Sequence, residues 1–192
     1  MLDEMMVRYC APTLAGIKTG NLMNCPCTDR EFFLETVRNM SQRLASRGIC
    51  VMPFTMSQNR ILIYIFRPEK LKADLSSEKA AGILRECGYS VGNMEKCIGR
   101  LRVRLCESGE FPHEVGLFLG YPPEDVRGFI ENHAKNYKFA GYWKVYGDVQ
   151  KAKRTFEQYK KCSDVCYKQW KEGKEIEELI KICKLRNAGT EK

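Results

Sequence analysis

One stretch of twenty residues limits the folds open to this chain more than any other: Phe111-Pro112-His113-Glu114-Val115-Gly116-Leu117-Phe118-Leu119-Gly120-Tyr121-Pro122-Pro123-Glu124-Asp125-Val126-Arg127-Gly128-Phe129-Ile130. Its prolines and glycines act as backbone punctuation. Pro112 suits a first helical turn, where its missing N–H would go unpaired anyway. Gly120-Tyr121-Pro122 predicts a sharp turn, and Pro123 starts a second helix. A core segment chosen only for packing does not need so many special residues, so this stretch encodes a defined helix-turn-helix geometry.

The remaining elements follow from periodicity. Val7 to Lys18 is apolar but broken by Pro12 and Gly16, which predicts an extended segment. Asn21 to Asp29, with Cys25-Pro26-Cys27, reads as a loop. Thr28 or Asp29 then caps a helix carrying Phe32, Phe33, Val37, Met40 and Leu44, ended by Gly48. Ile49–Thr55 and Arg60–Phe66 predict an antiparallel hairpin turned at Ser57-Gln58-Asn59. Helices are expected from Pro68 to Leu71, from Ser76-Ser77-Glu78-Lys79 to near Gly88, and through Met94, Ile98, Leu101 and Leu105. Gly141-Tyr-Trp-Lys-Val-Tyr-Gly147 reads as a further strand. Asp148 caps a long helix ended by Gly173, and Ile176, Leu179, Ile180 and Cys183 mark a last one, frayed from Arg186. The fold class is α+β: a small, mostly antiparallel sheet of three or four strands covered by about six helices. Residues 1–187 are expected to form one domain, with 188–192 a frayed tail. No Gly-rich phosphate loop follows a strand, which argues against dinucleotide-binding and nucleotide-hydrolysing folds.

Composition narrows the function classes. The longest apolar run, Ile61 to Phe66, is too short to span a bilayer, and Met1 to Met6 lacks a basic start, so a cytoplasmic protein without a membrane partner is expected. Ten cysteines in a reducing compartment read as free thiols, redox groups or metal ligands rather than a disulfide framework. The net charge of +8 favours an anionic ligand, a nucleic acid or an acidic partner protein, without identifying one. From Lys151 onward, twelve Lys or Arg face seven Asp or Glu, a balance of 12 − 7 = +5 spread over solvated helix faces.

Three blocks, Cys10-Ala-Pro-Thr-Leu-Ala-Gly-Ile-Lys18, the Phe111–Ile130 stretch and Gly141-Tyr-Trp-Lys-Val-Tyr-Gly-Asp148, resemble an uncharacterised domain-of-unknown-function family of anaerobic Firmicutes. The resemblance spans most of the chain. It implies a reducing cytoplasm and brings no activity, cofactor or site residue with it.

Candidate sites therefore rest on the residues themselves. His113 and Glu114 at a helix start would meet free N–H groups and a partial positive charge, favouring a neutral imidazole and an ionised carboxylate. Cys10, close in sequence to Lys18, is a candidate thiolate nucleophile with His113 as base; a core cysteine beside a solvated lysine is the alternative. Cys25 and Cys27 form a C-x-C pair that could hold a soft metal, and the Cys-Pro dipeptide could offer a thiolate to haem, although no second pair completes a zinc set. Tyr142, Lys144 and Tyr146 would share one strand face, where a lysine between two rings could grip an anionic or planar ligand, with Arg67 at the hairpin's end. The helix-turn-helix could read DNA, but Glu124, Asp125 and Glu131 would face phosphates with only Arg127 to offset them, which counts against nucleic acid.

The favoured reading is a binding or accessory protein in redox, metal or haem physiology. Its cleft would lie between the sheet and the helix-turn-helix, lined by His113, Glu114, Tyr121 and Lys144 with Cys10 nearby. The alternatives are a cysteine-dependent enzyme using Cys10 and His113, and a nucleic-acid-binding adaptor acting through residues 112–135.

Overall fold

The computed structural model describes residues 2–57, 59–106 and 111–188. In chain order the elements are α1 (Leu2–Leu14), β1 (Gly20–Pro26), α2 (Arg30–Ala45), β2 (Cys50–Ser57), β3 (Arg60–Phe66), α3 (Pro68–Leu75) and α4 (Glu78–Glu86). Then follow α5 (Met94–Cys106), α6 (Val115–Phe118), α7 (Pro123–Glu131), β4 (Phe139–Ala140), β5 (Lys144–Val145), α8 (Val149–Lys171) and α9 (Ile176–Ala188). The class is α+β, with more helices than the sequence suggests. The chain forms two compact units, Met1–Pro68 with Glu157–Lys192, and Glu69–Phe156.

The first unit holds a three-stranded antiparallel sheet in the order β1-β3-β2. The β2–β3 hairpin is the one read from the sequence; Gln58, in its turn, lies outside the described residues. Ile61, Ile63 and Ile65 alternate onto one face of β3, where they join α1, α2, α9 and Cys166 of α8 in a common core. Burying each such side chain contributes roughly 1.5–3 kcal/mol before chain entropy is charged against it. Tyr64 and Phe66 occupy the other face and stack at 4.5 Å, with Phe54 6.1 Å from Tyr64. Pro53 lies in β2, an edge strand of the sheet, the kind of strand that tolerates proline. Asp29 caps α2 by accepting from Phe32 N at 3.0 Å.

Two expectations fail in this unit. Residues 7–18 are not extended: Val7 to Leu14 belong to α1, whose buried Leu2, Met6, Val7, Cys10, Ala11 and Leu14 lie at helical spacing. Pro12 is tolerated because it stands in the last turn, and its carbonyl still accepts from Ile17 N and Lys18 N at 3.0 and 3.1 Å. Residues 21–26 are not a loop but strand β1, paired with β3 from Gly20↔Phe66 to Pro26↔Arg60. Helix α9 runs to Ala188, and residues 189–192 lie outside the described residues.

The second unit is mainly helical. Ser77 caps α4 and α5 buries Cys97, Ile98, Leu101 and Leu105, as their spacing predicts. The helix-turn-helix is present as α6 and α7. Gly120 has φ +78, the left-handed conformation that lets the chain reverse there, and Tyr121 N bonds back to Gly116 O at 2.9 Å. The expected strand across 141–147 shrinks to Lys144–Val145, paired with Phe139–Ala140 in a separate two-stranded ladder. Asp148 accepts from Lys151 N at 3.0 Å and starts α8, whose residues 149–156 count with this unit.

Candidate functional site

Asp125 organises the region around α7. It is buried, and its Oδ2 accepts from Trp143 Nε1 at 2.7 Å, while Oδ1 accepts from Tyr146 N at 2.8 Å and Gly147 N at 2.7 Å. Three donors converging on one carboxylate fix residues 143–147 against the helix. The chain can come this close because position 128 carries no side chain. A Cβ there would stand 2.4 Å from Tyr146 Cγ, too near for any real contact.

This anchoring sets Lys144 beside the end of α7. Its Nζ donates to Ala134 O at 2.8 Å and lies 4.8 Å from the Tyr137 ring centroid and 5.8 Å from that of Phe129. The edge of His113 meets Phe129 with centroids 4.9 Å apart, and Phe111 follows at 6.1 Å. His113 and Lys144, expected together in the lining of one cleft, both approach the same phenylalanine. Tyr137 is 45 % exposed and Phe111 54 %, so the arrangement is a shelf with its rings open to solvent.

The loop supporting the shelf is strained. His133, Ala134 and Asn136 all have positive φ, at 48°, 62° and 58°, without being glycine. Each such residue costs about 1–2 kcal/mol. The strain is held by Ala134 N on Phe129 O at 3.0 Å, by Lys144 on Ala134 O, and by Asn132 Nδ2 on Gly128 O at 2.9 Å. Backbone outliers held in this way cluster at ligand clamps. The Tyr146 hydroxyl is buried here with no hydrogen-bond partner.

The other sequence candidates in this unit have structural surroundings. Glu114 does not cap α6; it turns inward, where its Oε1 accepts from Tyr89 O–H at 2.8 Å and pairs with Arg104 Nε at 3.0 Å. Burial, and then that hydrogen bond, push the Tyr89 phenol above its ordinary range. Tyr121 stacks on Trp143 at 4.8 Å, and burial raises its phenol too. Tyr142, Lys144 and Tyr146 do not share one strand face, because residues 141–143 bend: Tyr142 packs 5.4 Å from Phe156, whereas Tyr146 lies over Gly128. Arg127, the cation expected to offset phosphates, grips Glu86 through both terminal nitrogens at 3.0 and 2.9 Å.

In the first unit, Cys10 is fully buried and burial pushes its thiol up to about 12, favouring the neutral form that does not attack. Lys18 is not solvated. Its Nζ donates to Gly20 O at 2.5 Å and Asn21 Oδ1 at 3.1 Å, and burial brings the amine down to about 8. Arg67 is buried as well, donating to Thr13 O at 2.7 Å, Leu14 O at 2.5 Å and Arg47 O at 3.2 Å. It places positive charge on the carbonyl end of α1, where the helix dipole is negative. Cys25 and Cys27 are buried; burial raises Cys25 to about 11, and the Cys27 thiol donates to Asp29 O at 3.4 Å. Among the described residues no group of three or more His, Cys, Asp or Glu could hold a metal ion.

Phe129, Tyr137 and the Ala134 carbonyl escaped the sequence reading. A signal was present. Residues 132–147 hold three lysines and five aromatic residues with no Asp or Glu.

The model of a family described as "Protein of unknown function (DUF3793)" matches residues 6–180, so the chain belongs to that family. No curated protein and no solved structure matches it. Among the described residues no helix is long and apolar enough to cross a membrane.

Proposed function

We propose that this member of the DUF3793 family is a binding protein whose site is the shelf formed by Phe129, Tyr137, Lys144 and His113, and that it takes a small planar or anionic ligand. One observation carries the reading: a part-buried ammonium held between two aromatic rings by the carbonyl of a strained loop. Lys144 uses one donor on Ala134 O, and an ammonium has three. No carboxylate among the described residues pairs with it, so an anion would supply the missing countercharge. The open Tyr137 face offers a planar molecule apolar area at little cost in side-chain entropy.

Titration with 1-naphthyl phosphate, followed by amide NMR shifts, tests this. Saturable shifts are expected at residues 129–146, with affinity falling about fivefold or more in Lys144→Met and in Tyr137→Ala. Lys70→Gln, on the exposed face of α3, should bind like the native protein. Absence of saturable binding, or equal affinity in all four proteins, would sink the reading.

A further inference from the structure

We infer that the ligand of the shelf is a nucleotide unit, a nucleobase stacked on the exposed rings with its phosphate on the lysines of residues 132–147. The inference rests on the binding role proposed for this surface and names its ligand chemistry. It does not involve the helix-turn-helix as a DNA reader, since Arg127 is engaged with Glu86 and Glu131.

Charge complementarity is the first support. Between Asn132 and Gly147 there are three lysines and no acid. Lys135 and Lys138 flank Tyr137 in the order Lys-Asn-Tyr-Lys, and all three are exposed. Lys138 is oriented by Nζ on Gly147 O at 3.1 Å and Lys144 by Nζ on Ala134 O, so two ammoniums are held to backbone carbonyls of the same small region. Lysine acts toward phosphate as a point charge and needs no bidentate geometry.

The rings are the second support. Tyr137 and Tyr142 are each 45 % exposed, large apolar faces of a kind usually buried. Every nucleobase has a π-face, and stacking on exposed aromatics beside a basic track is how base-containing ligands are held without sequence readout. A second lysine–ring pair, Lys153 Nζ at 5.0 Å from the Phe139 centroid, repeats the pattern. Simple anions would use the lysines and leave the rings idle; uncharged aromatics would do the reverse. A nucleotide uses both, whether free or within a single strand.

The test titrates the full chain with adenosine 5′-monophosphate and with a ten-residue thymidylate oligomer, using adenosine, ribose 5-phosphate and 1-naphthyl phosphate as comparators. Binding of either nucleotide probe should exceed that of adenosine and ribose 5-phosphate at least tenfold, and Tyr137→Ala should weaken it about tenfold. Affinity for the monophosphate alone identifies a free nucleotide; affinity for the oligomer alone identifies a strand. For the oligomer, log K against log salt should slope at about −2, and Lys135→Gln, which removes an exposed rim charge, should reduce that slope by about 0.7. If 1-naphthyl phosphate binds and both nucleotide probes fail, the nucleotide assignment is wrong while the shelf stands. If all probes fail, both readings fall. Oligomer binding indifferent to Tyr137→Ala and Lys144→Met would also overturn the assignment.

Discussion

Replacing Asp125 by alanine would remove the carboxylate that positions the whole 143–147 segment. Three donors lose their acceptor: the Trp143 indole and the N–H groups of Tyr146 and Gly147, at 2.7–2.8 Å. Trp143 is 8 % exposed, so water cannot readily replace the lost bond. An unsatisfied buried donor costs about 1–3 kcal/mol; the indole should pay that in full and the two part-buried amides the lower end, giving roughly 3–5 kcal/mol for Asp125→Ala. Asp125→Asn keeps one oxygen. If that oxygen faces the two backbone amides, its NH2 confronts the indole N–H donor to donor, and roughly 2 kcal/mol is lost. Guanidinium unfolding of the three proteins measures these values. The Trp143 Nε1–H NMR resonance supplies an independent readout and should move upfield in both variants as its charged acceptor disappears. A loss under about 1 kcal/mol in Asp125→Ala, with an unmoved indole signal, would refute the anchoring role.

Three further outcomes can be checked. Gly120→Val forces a β-branched residue to φ +78 and should cost about 2–3 kcal/mol, or roughly 4–12 °C in melting temperature; an unchanged melt would show that the turn tolerates any residue. Gly128→Ala sets a methyl 2.4 Å from Tyr146 Cγ and should destabilise by about 1–3 kcal/mol while shifting the Lys144 and Tyr146 resonances; silent resonances would count against the close approach. The Lys18 amine lies at about 8 when folded and at the ordinary 10.5 when unfolded, so between those pH values the unfolded chain binds more protons and stability gains with rising pH. Cys10, at about 12 when folded against 9.0, and Cys25, at about 11, act oppositely above pH 9. The Lys18 contribution is therefore isolated by subtraction. From pH 8 to 9 native protein should gain about 1 kcal/mol relative to Lys18→Met, and parallel stability curves would contradict this.

Local signals were legible where one element carries its own cause. The starts of α2 and α4, the α5 periodicity and the Gly120 reversal all depend on residues within a turn of each other, so spacing exposes them, although it left Thr28 and Asp29 as rival caps and the structure chose Asp29. Pro12 shows where this breaks down. A proline inside an apolar stretch reads as a breaker, yet α1 continues through it because its lower face is buried and Arg67, more than fifty residues later in the chain, satisfies Thr13 O and Leu14 O. Strand β1 was hidden for a similar reason, since Asn21, Asn24 and Pro26 look like loop residues until Ile65, Leu62 and Arg60 of β3 pair with them. Glu114 was expected to face the free N–H groups of a helix start; that it turns inward instead was not legible, because its partners, Tyr89 and Arg104, stand elsewhere in the chain.

By itself the order of residues determined the α+β class, the hairpin and the helix-turn-helix. Those properties follow from periodicity and backbone restriction, which act over a few residues. Tertiary structure alone decided that Phe129 and Tyr137 stand beside His113 and Lys144, that Cys10, Lys18 and Arg67 are sealed in the core, and that Asp125 is an anchor. Burial and hydrogen-bond partnership are properties of distant segments brought together, and they set whether a charged or reactive side chain is available to a ligand or committed to the fold.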